Sequence, residues 1–174
     1  RARANDPSTW NTFEFAVQAL QRHPNRYDGI EFIISKYDPF TVIDLDHCVK
    51  PDGTIERWAQ EILNEIDSYA EFSQSGRGIH IIVKANKPGP RCRTAQFPGF
   101  EIYDGMGGDE EHTRHRPFVC TGNIVPGNIG IIQPAPNEIR VIYNRIFNPE
   151  LDKLDRTYEQ SSEPVKESSG AGAG

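Results

Sequence analysis

The side chains best placed to do chemistry are acids on predicted strands. In FTVIDLD, alternation puts Phe40, Val42, Asp44 and Asp46 on one face and Thr41, Ile43 and Leu45 on the other. Two carboxylates two residues apart then stand about 6.5–7 Å apart along the strand. Like charges so placed repel unless a cation lies between them, and oxygen ligands on a fixed strand suit Mg²⁺ or Mn²⁺. The plainer alternative is a strand end emerging into solvent. A calcium-binding loop is excluded: counted from Asp44, Val49 stands where glycine is needed and Ile55 where glutamate is needed.

A second group is the run 73–80, SQSGRGIH. Its serines and glycines let backbone N–H groups approach an anion, and Arg77 adds a fork of donors. Ile79, Ile81 and Val83 fill a core face, so His80 points to the other. Read alone, this is equally a plain turn with a solvated histidine. In FEIYD, Phe100 and Ile102 face inward and leave Glu101 and Tyr103 outward, where a glutamate is commonly just a surface group. Lys84, Lys87, Arg91 and Arg93 form a basic cluster that suits either a phosphate backbone or a solvated loop. His112, His115 and Cys120 lack a fourth ligand and a zinc-site spacing, and G-x-x-x-x-G-K-[ST] is absent.

The elements that must position these groups alternate. Helices are predicted over 12–22, from an N-cap at Thr54 to 67, and over 137–147; strands over 30–35, 40–46, 69–73, 78–84, 100–104 and 118–121. The stripes expected to be buried are Phe13, Ala16, Val17 and Leu20; Trp58, Ile62 and Ile66; and Ile139, Ile142, Tyr143 and Ile146. This pattern predicts an α+β domain, a sheet with helices packed on one side.

The chain has 174 residues with 19 basic and 25 acidic side chains, a net charge of −6 that excludes a protein coating nucleic acid by bulk charge. Three cysteines without C-x-x-C disfavour a disulfide framework and fit a reducing, cytoplasmic setting. No run suits a membrane span. Residues 148–174 hold six acids, three bases and little to bury, so a disordered tail or linker is expected after a folded body of 5–147. The first residues, RARA, lack an initiator Met and suggest a fragment of a longer protein.

Together DPSTWNTFEFA, VIDLDHC, SGRGIHIIVK, FEIYD and RPFVCTG, in this order, resemble the primase-polymerase domain of phage and plasmid replication proteins in the archaeo-eukaryotic primase superfamily. The resemblance implies an RRM-like mixed or antiparallel sheet and a template-dependent DNA primase/polymerase. It maps two divalent ions, Mg²⁺ or Mn²⁺, to Asp44, Asp46 and Glu101. It maps the incoming triphosphate to Ser75, Gly76, Arg77, Gly78 and His80, with Arg116, Thr121 and Gly122. The implied partners are single-stranded DNA template and primer and nucleoside triphosphates, with unwinding left to a helicase domain elsewhere in a full-length protein. Two departures stand out. Phe15 occupies a position where the family often has glutamate, and the stretch between Asp104 and Arg116 is long, leaving Arg114 as a rival to Arg116. The competing readings are a catalytically silent nucleic-acid-binding domain of a replication initiator and a metal-dependent phosphodiesterase using the same carboxylates.

Overall fold

The computed structural model describes residues 2–27, 29–105 and 115–150. His112, Arg114 and most of the expected tail lie outside them. In chain order the elements are a short 3-10 turn (Pro7–Thr9), α1 (Phe13–Arg22), β1 (Glu31–Ile34), β2 (Phe40–Leu45), α2 (Arg57–Glu65), β3 (Tyr69–Phe72), β4 (Ile79–Lys84), β5 (Phe100–Asp104), β6 (Arg116–Val119) and α3 (Pro136–Phe147).

Period-two alternation builds the main sheet, ordered β3-β4-β2-β5 with every pairing antiparallel. Ile43, Leu45, Ile79, Ile81, Val83, Phe100 and Ile102 lie on one face and are buried. Ala59 and Ile62 of α2 and Ile139, Ile142, Tyr143 and Phe147 of α3 join them in one core. The α+β expectation therefore holds, with helices on one face. The sheet is antiparallel rather than mixed, and β4 reaches β5 through residues 85–99 without an intervening helix.

The opposite face carries the polar groups, and the two-stranded β1-β6 sheet packs toward it through Phe118, whose ring meets those of His80 and Tyr103. Irregular chain covers both edges of the main sheet. Residues 123–125 bond to β3, with Phe72 N donating to Asn123 O and Val125 N to Ala70 O. Cys92 O accepts from Ile102 N beside β5. Exposed strand edges invite pairing with other chains, so such cover is a common safeguard.

Three expectations change. Thr54 does not cap α2: Asp52-Gly53 turns the chain so that Val49 bridges Ile55, holding 54–56 extended until α2 begins at Arg57. The strand expected over 118–121 lies at Arg116–Val119, because Thr121 and Gly122 turn onto Glu71. The α1 stripe is covered only in part: Ala16, Val17 and Leu20 are half-buried, Phe13 is 69% exposed, and no α1 residue joins the core.

Where β5 ends, Gly105 passes so close to the end of β1 that a Cβ would fall on the Ser35 carbonyl. Gly105→Ala is expected to cost about 3 kcal/mol, because backbone must move to admit the methyl group. Chemical denaturation compared with wild type checks this; an unchanged midpoint would contradict the close approach.

Candidate active site

Register, more than sequence spacing, assembles the site. Antiparallel pairing sets Glu71 opposite His80, His80 opposite Asp44, and Asp44 opposite Glu101. One lateral row thus crosses all four strands of the main sheet on the face away from the core. Arg93 bridges Glu101 and extends the row by one residue. Neighbouring strands lie about 4.8 Å apart, so these groups sit side by side.

The acids differ in setting. Asp44 is half-buried and Asp46, one residue past β2, is exposed. Burial pushes the Asp44 carboxyl up to about 6; nearby His80 opposes that, while Asp46 and Glu101 add to it. Like charges directly opposite on a sheet are destabilising, and the protein answers with partners. His80 Nε2 lies 3.8 Å from Asp44 Oδ1. The Tyr103 hydroxyl donates to Glu101, Arg93 lies 3.9 Å from the same carboxylate, and the Arg116 guanidinium stacks 4.0 Å from the Tyr103 ring centre. Burial and the Glu101 contact both push the Tyr103 hydroxyl up, so it remains a donor.

With the carboxylates turned to these partners, no three His, Cys, Asp or Glu side chains among the described residues stand close enough to hold an ion. The donor set itself suits a hard divalent cation: all-oxygen and anionic, with Asp46 and Glu101 adding to the rise that burial imposes on Asp44. Just past Asp46, His47 has φ 54°, an uncommon backbone state at the rim of the acidic row.

The serine–glycine run forms the β3–β4 hairpin loop at the end of the sheet where β2 ends. Gly76 takes φ 69°, and a Cβ at Gly78 would press on the Leu45 carbonyl. Its amides are largely spent inside the loop. Gly76 N donates to Ser73 O, Arg77 N to Ser75 Oγ and Gly78 N to Ser73 Oγ. An anion there would be met first by the exposed Arg77 side chain and the Ser75 hydroxyl, rather than by a cradle of free N–H groups.

His80 is not solvated. It is 9% exposed, between Glu71, Asp44 and the Phe118 ring. Arg116 stands beside Tyr103 as described, whereas Thr121 donates its hydroxyl to Phe72 O and its N–H to Glu71. The basic cluster is partly structural: Arg91 donates to Phe147 O at the end of α3, and Lys87 Nζ to Gly89 O. Cys48 is buried with its thiol pushed up to about 11, while Cys92 is half-buried and Cys120 exposed; all three are free. Among the described residues no helix is long and apolar enough to cross a membrane.

Sequence reasoning missed Glu71 and the supporting role of Tyr103. A signal existed for Glu71: a hairpin closing over 73–78 pairs Phe72 with Ile79, and therefore Glu71 with His80. Burial alone would raise the Glu71 carboxyl, but bonds from His80, the Tyr69 hydroxyl and the N–H groups of Thr121 and Gly122 bring it down to about 2. A carboxyl lowered on folding adds stability above its unfolded range near 4.5, and that stability is lost as pH falls through about 2. Between about pH 5 and pH 2, wild type should therefore lose about 3 kcal/mol more than Glu71→Gln, at about 1.4 kcal/mol per unit. Denaturant titrations at several pH values check this; parallel losses in the two proteins would contradict it.

No family model matches the chain. Over 89 residues, 51% of its length, the chain is 37% identical to the DNA primase-polymerase of Nitratiruptor phage NrS-1. It spans 12% of that relative's length. The residues that line the acidic row thus sit in a chain homologous, over half its length, to part of a phage primase-polymerase.

Proposed function

We propose that residues 5–147 form the catalytic core of a template-dependent DNA primase/polymerase from a phage, plasmid or similar replication protein, with 148–174 as a tail or linker. The observation that carries the reading is the lateral row, in which His80, Asp44 and Glu101 from three neighbouring strands lie side by side, with Asp46 just past the end of β2. A four-stranded antiparallel sheet with two helices on its back supports the RRM-like catalytic sheet that the resemblance implies. Similarity to a phage primase-polymerase supports the substrates: single-stranded DNA template, primer and nucleoside triphosphates.

Asp44, Asp46 and Glu101 are the residues that would hold two Mg²⁺ or Mn²⁺ ions, which lower the pKa of an attacking 3′-hydroxyl and neutralise charge on pyrophosphate. The chain's own groups do the rest. Asp44 and Glu101 concentrate negative charge on a rigid sheet face, so a cation arriving there relieves repulsion instead of creating strain. Arg77 and Ser75 on the hairpin loop and His80 on β4 offer donors to the triphosphate; donors fixed in advance need no reorganisation as charge moves to the leaving group. Arg116, stacked on the Tyr103 ring whose hydroxyl bonds Glu101, is a cation that would contact phosphate. Gly76 and Gly78 let the loop turn close to β2, and Thr121 with Gly122 shapes the wall beside His80. A helicase acting elsewhere in a full-length protein, and a cytoplasmic setting, complete the reading.

The deciding experiment is extension of a labelled primer on a single-stranded template with Mg²⁺ or Mn²⁺, run beside a no-primer control. Metal-dependent growth with pyrophosphate release is expected. Strand cleavage would favour a phosphodiesterase, and template binding without extension a silent platform; either would overturn the reading. Asp44→Asn should remain folded, melt higher than wild type in the absence of metal, and lose extension by several orders of magnitude. His80→Ala should weaken triphosphate binding about ten- to a hundredfold, the worth of one charge-assisted bond, with template affinity unchanged.

A further inference from the structure

Glu71 is an acid with no outlet to water. Its exposure is 0%, and it lies in the middle of β3 on the sheet face shared with the candidate site. A buried carboxylate is costly unless every lone pair is used, and an apolar residue of similar size is often the cheaper choice. Here the lone pairs are used. Oε1 faces His80 Nδ1 at 3.4 Å and Thr121 N at 3.1 Å. Oε2 accepts from the Tyr69 hydroxyl at 2.6 Å, Thr121 N at 3.0 Å and Gly122 N at 2.8 Å.

The partners show what the acid is for. The bond to His80 uses Nδ1, and the Phe118 ring closes on the imidazole at 5.9 Å, so Nε2 is the nitrogen turned toward Asp44 and the acidic row. An acceptor at Nδ1 fixes the ring's rotation, and in the imidazolium form Nε2 carries the second N–H, the donor that a phosphate oxygen needs. The same carboxylate ties down the Thr121–Gly122 turn, which follows the strand carrying Arg116. One buried group thus holds two separate pieces of the proposed triphosphate site in register.

We infer that Glu71 is a positioning residue that presents His80 Nε2 to the triphosphate and fixes the Thr121–Gly122 turn beside it. The inference rests on the proposed function for the identity of the ligand, but the contact with His80 can be read without any activity. In Glu71→Gln the amide group offers one acceptor and one donor to partners that all donate, so at least one contact breaks. In Glu71→Asp both acceptors remain on a shorter arm.

The test compares wild type, Glu71→Gln, Glu71→Asp, His80→Ala and the double variant Glu71→Gln/His80→Ala. Two readouts are needed: ring-nitrogen NMR of His80, and calorimetric binding of a deoxynucleoside triphosphate with Mn²⁺. Wild type should show a Nδ1–H held by a carboxylate and protected from solvent exchange, lost in Glu71→Gln and partly regained in Glu71→Asp. Triphosphate affinity should fall about tenfold in Glu71→Gln, recover in part in Glu71→Asp, and fall no further when Glu71→Gln is added to His80→Ala. Unchanged His80 signals in a folded Glu71→Gln protein would overturn the inference. So would additive losses in the double variant, or failure of both Glu71 variants to fold, which would assign Glu71 to stability alone. Wild type that keeps the His80 signature but binds no triphosphate would instead remove the proposed function and leave Glu71 as a holder of His80 only.

Discussion

Everything at the polar face follows from strand register. β4 and β5 both pair antiparallel with β2, and that pairing alone sets His80 and Glu101 on either side of Asp44. A slip of one residue in either pairing would turn the side chain to the helical face and drive Ile79, Ile81, Phe100 or Ile102 out of the core. The apolar alternation that builds the core is thus also what assembles the acids. Fold stability and site geometry rest on the same interaction.

That arrangement carries an electrostatic cost, and the surrounding residues are best understood as containing it. Burial and the neighbouring carboxylates raise Asp44, and the protein sets His80, Arg93 and the Tyr103 hydroxyl against the row's negative charge. Arg116 reaches the same region by stacking on Tyr103. The exposed Arg93 can turn away when a cation or a phosphate arrives, whereas the buried Glu71 and the His80 it holds cannot. The site therefore combines a held end, at β3 and β4, with an adjustable end at β5 and Arg93.

Much of this was legible in the sequence, for identifiable reasons. Alternation in FTVIDLD, GIHIIVK and FEIYD separated core from polar face correctly because the helices cover one face only and the apolar side chains alternate onto it. The helical stripes of α2 and α3 were equally plain. Other features depend on tertiary contacts that local pattern does not carry. Thr54 has the right residue type for a cap, but a bridge between Val49 and Ile55 claims that stretch first. α1 has an amphipathic stripe whose Ala16, Val17 and Leu20 are only half-buried. The anion-binding look of SQSGRG overstates its amides, since hydroxyls within the loop already use them. Glu71 was hidden because a glutamate on a short strand reads as solvated until hairpin register sets it against His80.

On the proposed function, Asp44 and Glu101, with Asp46 beside them, take a divalent cation. Paramagnetic Mn²⁺ broadens the resonances of nuclei close to it, so titrating Mn²⁺ into isotopically labelled protein locates the ion without reference to activity. The account predicts saturable broadening centred on Asp44, Asp46 and Glu101 that spreads to His80, is reversed by Mg²⁺, and is lost in Glu101→Gln. Broadening centred elsewhere, or unchanged in that variant, would contradict it.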